Sequence, residues 1–245
     1  MYIESNQNQK IKNWSKLRQK KYRNLEGLFL VEGEHLVGEA LKAGVAAEVL
    51  LREGSGLDVE PGVPVYTIKA HVFNKLAAAE SPQGVMAVCQ MTEQALAARN
   101  RLLLLDGIQD PGNLGTLVRS AAAFGFEGIV LGEGCVDLYN EKTIRSTQGA
   151  LFSITIVKGD LGSWVPALQA DGVAVYGTAL ENATPLQEVQ TSQRMAFILG
   201  SEGTGVQGKH LALTDGNIFI EINPKVESLN VSIAGSVLMH HFKPY

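Results

Sequence analysis

At 245 residues, 45% hydrophobic and 19% charged, the chain has the make-up of a soluble globular protein, long enough for one large or two small domains. A net charge of −4 argues weakly against a nucleic-acid binder, no apolar run approaches the roughly 18 residues of a membrane span, and two cysteines make no disulfide framework. The opening Met1-Tyr2-Ile3-Glu4-Ser5-Asn6-Gln7 lacks the basic-then-apolar layout of a signal peptide, so a cytoplasmic location is expected, with Cys89 and Cys135 as reduced thiols outside any metal-ligand spacing.

The first distinctive stretch is basic. Lys10, Lys12, Lys16, Arg18, Lys20, Lys21 and Arg23 occur with no acidic residue among them, and Trp14 and Tyr22 are interleaved. Cations gathered at one end of an acidic chain suit an RNA-contacting arm, and aromatic rings between them can stack on bases. A solvated helix face explains the same pattern, and both readings stand at this point.

A first α/β block of about 90 residues follows from alternating patterns. Phe29-Leu30-Val31-Glu32 reads as a strand leading into a helix, Glu34 to Lys42, stopped by Gly44. Strands are expected at Val49–Leu51, Val63–Tyr66 and Gly84–Cys89, with a helix from His71 to Ala79. Met91 to Asn100, polar and alanine-rich, is read as a linker or a short helix. The domain plan is therefore 1–92, a linker at 93–100, and 101–245.

In the second block, Leu102-Leu103-Leu104-Leu105 is wholly apolar, as a parallel strand covered on both faces requires. A helix from Asn113 to Phe124, a strand at Gly128–Leu131, a segment around Lys142–Gln148 and a strand at Ile154–Val157 come next. A helix near Trp164–Ala170, strands at Val173–Thr178, Met195–Leu199 and Ile218–Ile222, and a helix from Leu229 to His241 complete it. Repeated βα units mean a parallel sheet with helices on both faces, and such sheets bind ligands at the carboxyl ends of their strands.

Three segments lie just after strands. Asp110-Pro111-Gly112-Asn113-Leu114-Gly115-Thr116-Leu117-Val118-Arg119 opens a helix whose small face ends in a guanidinium; Asn113 is either an N-cap or a functional amide. Gly200-Ser201-Glu202-Gly203-Thr204-Gly205 is dense in glycine, which lets backbone approach a ligand, with Glu202 placed to accept hydrogen bonds. Glu227-Ser228-Leu229-Asn230-Val231-Ser232 stands at the last helix start, where unpaired amides can hold a carboxylate or ribose; Ser228 doubles as an N-cap candidate. Arg145 meets either a phosphate or an acidic neighbour. Gly203, Gly208 and Lys209 mimic a phosphate loop, but His210 stands where magnesium ligation needs Ser or Thr. His240 and His241 point to different helix faces and suit the helix end better than a metal.

Together and in this order, these segments resemble the three motifs of the SpoU-type RNA ribose 2′-O-methyltransferases of the SPOUT superfamily, over residues 100–245. Phe29-Leu30-Val31-Glu32-Gly33 is similar to the opening of the small ribosomal-protein-like RNA-binding domain that many members carry. The resemblance implies an α/β fold: a parallel-sheet catalytic domain with a C-terminal trefoil knot, preceded by a small α/β RNA-binding domain. It implies a homodimer, an S-adenosylmethionine pocket in the knot, and no metal. It puts Asn113, Arg119, Glu202, Ser228 and Asn230 on the family's catalytic positions. Backbone near Thr178, Gly200, Ile220 and Leu229 would cradle the cofactor. One departure stands out: the family's Ile-Pro-Met-x-Gly is here Ile220-Glu221-Ile222-Asn223-Pro224. The implied activity is methylation of an RNA ribose 2′-hydroxyl. Ribosomal RNA is expected as substrate, with tRNA and a non-catalytic RNA-binding or assembly role as alternatives.

Overall fold

A computed structural model describes residues 1–57, 62–97 and 100–244. In chain order its elements are β1 (Tyr2–Ile3), α1 (Gln9–Lys16), α2 (Lys20–Glu26), β2 (Leu28–Glu32), α3 (Glu34–Lys42), β3 (Ala46–Arg52), β4 (Val65–Ile68), α4 (Ala70–Leu76) and β5 (Val85–Gln90). Then come β6 (Arg101–Asp106), α5 (Pro111–Ala123), β7 (Gly128–Leu131), α6 (Glu141–Thr147), β8 (Thr155–Lys158), α7 (Leu161–Ala170) and β9 (Ala174–Thr178). The last are β10 (Ala183–Pro185), β11 (Met195–Gly200), α8 (Gly208–Leu211), β12 (Gly216–Phe219) and α9 (Val231–His241).

These elements form two compact units: Met1–Glu93 with Tyr139–Phe152, and Gln94–Leu138 with Ser153–Tyr245. The segment 139–152, which the sequence reading places within the second block, packs in the first unit. Its attachment is local and specific: Tyr139 packs its ring on Phe29 at 4.5 Å between centroids, and His35 Nε2 lies 3.0 Å from the Gln148 carbonyl.

The first unit is a mixed sheet in the order β1-β4-β3-β5-β2, with β2 and β3 antiparallel to β5 and β4 parallel to both β1 and β3. Helix α1 is amphipathic: Ile11 and Trp14, three apart, face inward and pack with Leu17 against Tyr66, Ile68 and Phe73. Asn8 caps it by accepting from the Lys10 amide at 2.9 Å. Residues 91–97 form no helix, and 98–99, the rest of the expected linker, lie outside the described residues.

The second unit is a seven-stranded sheet, β10-β12-β9-β11-β6-β7-β8, with every pairing parallel. The central strands β6 and β11 are buried at every residue, which is why both read as unbroken apolar runs. Two segments depart from expectation. Strand β12 spans Gly216–Phe219 rather than Ile218–Ile222, and 220–230 is irregular, turning where the Val226 amide donates to Asn223 O with Pro224 inside the turn. Helix α9 begins at Val231, two residues later than read. It packs on α5, where Ser120 and Ser236 hydroxyls meet at 2.8 Å. Gly235 permits that approach, since a Cβ there would fall 2.4 Å from Leu117 and 2.6 Å from Leu199.

Candidate active site

A cleft of about 700 Å³ opens at the carboxyl ends of β9, β11 and β12. Its wall runs from Thr178–Glu181 through the loop Gly200–Val206, then Ile218–Ile220 and Ile222, to Glu227–Val231. Thr178, Gly200, Ile220 and Leu229 all line it, as do Glu202, Ser228 and Asn230. Leucine and isoleucine side chains supply an apolar interior, and loop backbone supplies the polar edge, the composition expected of a site for a small organic molecule. The Thr178 hydroxyl donates to Ile198 O at 2.9 Å. Strand β9 is thereby pinned to β11, and Thr178 offers the cleft chiefly backbone.

The glycine loop is a closed hairpin. Ser201 and Gly205 exchange amide hydrogen bonds at 3.1 and 2.9 Å, and the Ser201 and Thr204 hydroxyls meet at 2.8 Å. Gly205 takes φ +68°, and at Gly200 a Cβ would lie 1.9 Å from the Gly205 carbonyl carbon. Only glycine at 200 lets the chain fold back on itself so tightly.

Asn113 links the three motif segments. Its Nδ2 donates to Glu202 Oε1 at 2.7 Å, and its Oδ1 accepts from Asn230 Nδ2 at 3.1 Å. It does not cap its helix. Asp110 does, accepting from the Asn113 amide at 2.9 Å, with Pro111 at the first helical position. Asn230, not Ser228, caps α9: its Oδ1 accepts from the Ser232 amide at 2.9 Å and the Ser232 hydroxyl at 2.6 Å. Each asparagine is thus held by backbone at one end and presents its amide to the neighbouring motif. Burial pushes the Glu202 carboxyl up, but hydrogen bonds from Asn113 and from the Glu202, Gln109 and Asp110 amides outweigh it. The net result holds Glu202 below the usual carboxylate range. Arg119, further along α5, is exposed, and its side chain makes no hydrogen bond or ion pair among the described residues. It stands outside the cleft wall, as does Asn113.

Behind the loop lies a cluster that sequence reasoning missed. Asp106, buried at the end of β6, accepts from the Gln207 amide at 2.8 Å, Gln207 Nε2 at 2.6 Å and His210 Nδ1 at 2.8 Å. Asp106 pairs in register with Gly200, so one carboxylate anchors the far side of the hairpin to the strand beside its near side. The available signal was an acid ending a wholly apolar strand, with a His-bearing helix after the glycines.

A profile of the SpoU rRNA Methylase family matches residues 100–240, and one of the MRM3-like substrate binding domain matches residues 8–87. The chain belongs to the SpoU rRNA methylase family. Among SpoU relatives, the Bacillus subtilis 23S rRNA (guanosine(2553)-2′-O)-methyltransferase RlmP is 45% identical over 244 residues, 98% of either chain. The human mitochondrial rRNA methyltransferase 3 is 26% identical, over 93% of this chain and 70% of that protein. An AdoMet-bound rRNA methyltransferase from Sinorhizobium meliloti superimposes with a TM-score of 0.89 at 25% identity, over 98% of this chain and 96% of the other. The α/β architecture with a parallel catalytic sheet is that of the SpoU structures.

The basic arm of this SpoU chain divides by burial. Lys12, Lys16, Lys20 and Lys21 are exposed, and the Lys16 and Lys21 ammoniums lie 5.5 and 5.9 Å from the half-buried Tyr22 ring. Lys10 pairs with Glu48 and sits 4.5 Å from the Tyr66 ring centre. Arg18 is exposed but donates to Leu76 O at 2.7 Å. Two expectations need correcting. Arg23 is buried and donates to the Leu17 and Arg18 carbonyls at 2.9 and 2.7 Å, so it ties the α1–α2 joint instead of facing solvent. Trp14 is no stacking platform either: it is buried, edge-on to Tyr66, and donates to Glu48 at 2.8 Å.

Proposed function

We infer that this protein transfers a methyl group from S-adenosylmethionine to a ribose 2′-hydroxyl of ribosomal RNA. The observation that carries the reading is the apolar cleft lined by Glu202 and Asn230, two motif side chains that Asn113, outside the wall, joins through 2.7 and 3.1 Å hydrogen bonds. The cleft fits the cofactor by chemistry. Its apolar walls suit an adenine, the loop amides suit hydroxyl and carboxylate groups, and the Glu202 carboxylate favours a cation nearby. When bound, the cofactor supplies a methyl already activated by a sulfonium. The protein's task is then alignment and charge stabilisation, which can remove several kcal/mol from the barrier.

Glu202, Asn113 and Asn230 fix the relative placement of the glycine loop, α5 and α9, and Ser228 faces the same cleft. Arg119 presents its guanidinium to the nucleotide, orients the hydroxyl or its phosphate, and stabilises developing alkoxide charge. A guanidinium binds its proton too tightly to serve well as a general base, so alignment and charge stabilisation are the roles that fit it.

The reading extends to assembly and substrate. Ile233 and Val237, one turn apart, are 52% and 40% exposed on α9, an apolar stripe suited to a homodimer in which α9 meets a second copy. Trefoil threading of the C-terminal segment, the 1–92 and 101–245 domain roles, a cytoplasmic site of action and metal-free chemistry follow from the same family likeness. The guanosine named for the Bacillus relative is the first acceptor to test, given 45% identity along the whole chain.

The test is tritium transfer from labelled S-adenosylmethionine to total RNA from a strain deleted for the protein. Label in 23S rRNA, absent with Arg119→Ala, is expected. Label in tRNA alone would move the substrate, and no label in any RNA would overturn the reading.

A further inference from the structure

The first unit holds a concavity of its own, about 200 Å³. Three guanidiniums line it: Arg18 between α1 and α2, Arg23 on α2, and Arg145 on α6. Its floor is apolar, with Leu30 of β2, Leu36 of α3, Met86 of β5 and Ile144 of α6. Two carboxylates also border it, and neither neutralises the arginines directly. Glu32 accepts from the Ala78 and Ala79 amides at 2.8 and 3.4 Å, and Glu141 lies in the first turn of α6. Arg23 is spent on the α1–α2 carbonyls and contributes fixed charge. Arg18 uses one Nη on Leu76 O, and the guanidinium of exposed Arg145 makes no hydrogen bond or ion pair among the described residues.

A recess with an apolar floor and guanidiniums at its rim has the chemistry of a single unpaired nucleotide. RNA readers take splayed bases on apolar, aromatic or guanidinium surfaces and hold the phosphate with arginine. The volume admits one ring system and excludes a duplex. We propose that this recess is a subsite for one unstacked nucleotide of the RNA substrate, its base on Leu30, Met86 and Ile144 and its phosphate on Arg145 and Arg18. The proposal rests on the RNA-methylating reading above. It also gives a purpose to the packing of 139–152 in the first unit: α6 closes a pocket that the basic arm alone leaves open.

Two measurements on the full chain test it. The first is filter binding of a 23S rRNA transcript across a salt series with wild type, Arg145→Ala and Arg145→Lys. Arg145→Ala should weaken binding about tenfold and lower the log–log salt slope by about one, while Arg145→Lys restores the slope. Cofactor affinity by calorimetry should be unchanged. The second follows the Ile144 methyl resonance on adding guanosine 5′-monophosphate, with inorganic phosphate as comparison. The nucleotide should shift it in wild type and not in Arg145→Ala, and phosphate alone should not. Wild type that binds and methylates rRNA, with Arg145→Ala indistinguishable from it and no Ile144 response, would overturn the subsite alone. Wild type that binds no RNA would overturn the reading beneath it as well.

Discussion

In the proposed reaction Arg119 and Glu202 perform different electrostatic work. The value of Arg119 lies in geometry: a planar fork that two oxygens can share. Arg119→Lys keeps the charge and loses the fork, and turnover should fall on the order of 10²-fold, with cofactor affinity little changed, by single-turnover kinetics. Near-normal turnover would remove Arg119 from the reaction. Glu202 is the titrating partner. Its folded-state pKa is depressed, so the bonds it makes contribute stability above the ordinary carboxylate value of about 4.3. That contribution is lost only as pH falls through the lower folded value. A carbon-13 titration should place its midpoint below that of an ordinary glutamate in wild type and move it upward in Asn113→Ala. An unmoved midpoint would mean that the Asn113 bond does little. From residues alone Asn113 was legible as a functional amide or a cap, and nothing local decided between them. The decision lay in Asp110, three residues earlier, which takes the capping role and leaves the Asn113 side chain to Glu202 and Asn230.

At the scale of elements, the glycine loop depends on what is absent at Gly200 and what is buried at Asp106. Gly200→Ala drives a Cβ into backbone at 1.9 Å, which no rotamer can relieve, so the hairpin must open. Isothermal calorimetry should show cofactor binding lost or weakened at least tenfold. Asp106→Asn keeps the shape but turns one acceptor into a donor facing Gln207 or His210, stranding a buried group. We expect about 1–3 kcal/mol of lost stability in urea melts, and cofactor affinity weakened more than the KM for RNA. An unaltered cofactor affinity would make the cluster purely structural.

What the sequence revealed of these elements followed from burial. Strands β6 and β11 are covered on both faces and read as apolar runs. Helices α3 and α5 carried clear stops at Gly44 and Gly125, both with positive φ in the structure. The short elements β1, β10 and α8 were invisible, since two to four residues carry no period. The segment after β12 misled because Ile220 and Ile222 continue a strand-like alternation. They are apolar because they line the cleft, and among the described residues no neighbouring strand takes up the ladder there.

On the scale of the whole molecule, the path of the chain through its two compact units was not legible. Residues 139–152 have no composition that marks them as part of the first unit; Tyr139 against Phe29 and His35 against Gln148 place them there, contacts more than 100 residues apart in sequence. The basic arm was visible as charge, yet charge could not tell exposed Lys12, Lys20 and Lys21 from buried Arg23, since helix phase decides which cations point inward. Assembly belongs to this scale as well. Ile233→Glu with Val237→Glu places charges on the exposed stripe of α9, and light scattering should show a dimer becoming a monomer at micromolar concentration with methyl transfer abolished. A double variant that stays dimeric would place the interface elsewhere.

The most direct test of the central claim is the chemical identity of the product. A 23S rRNA transcript incubated with the protein and methyl-labelled S-adenosylmethionine, digested to nucleosides and resolved by mass spectrometry, should carry the label in one 2′-O-methylated nucleoside. Label on a base, or none on RNA with the cofactor bound, would contradict the account.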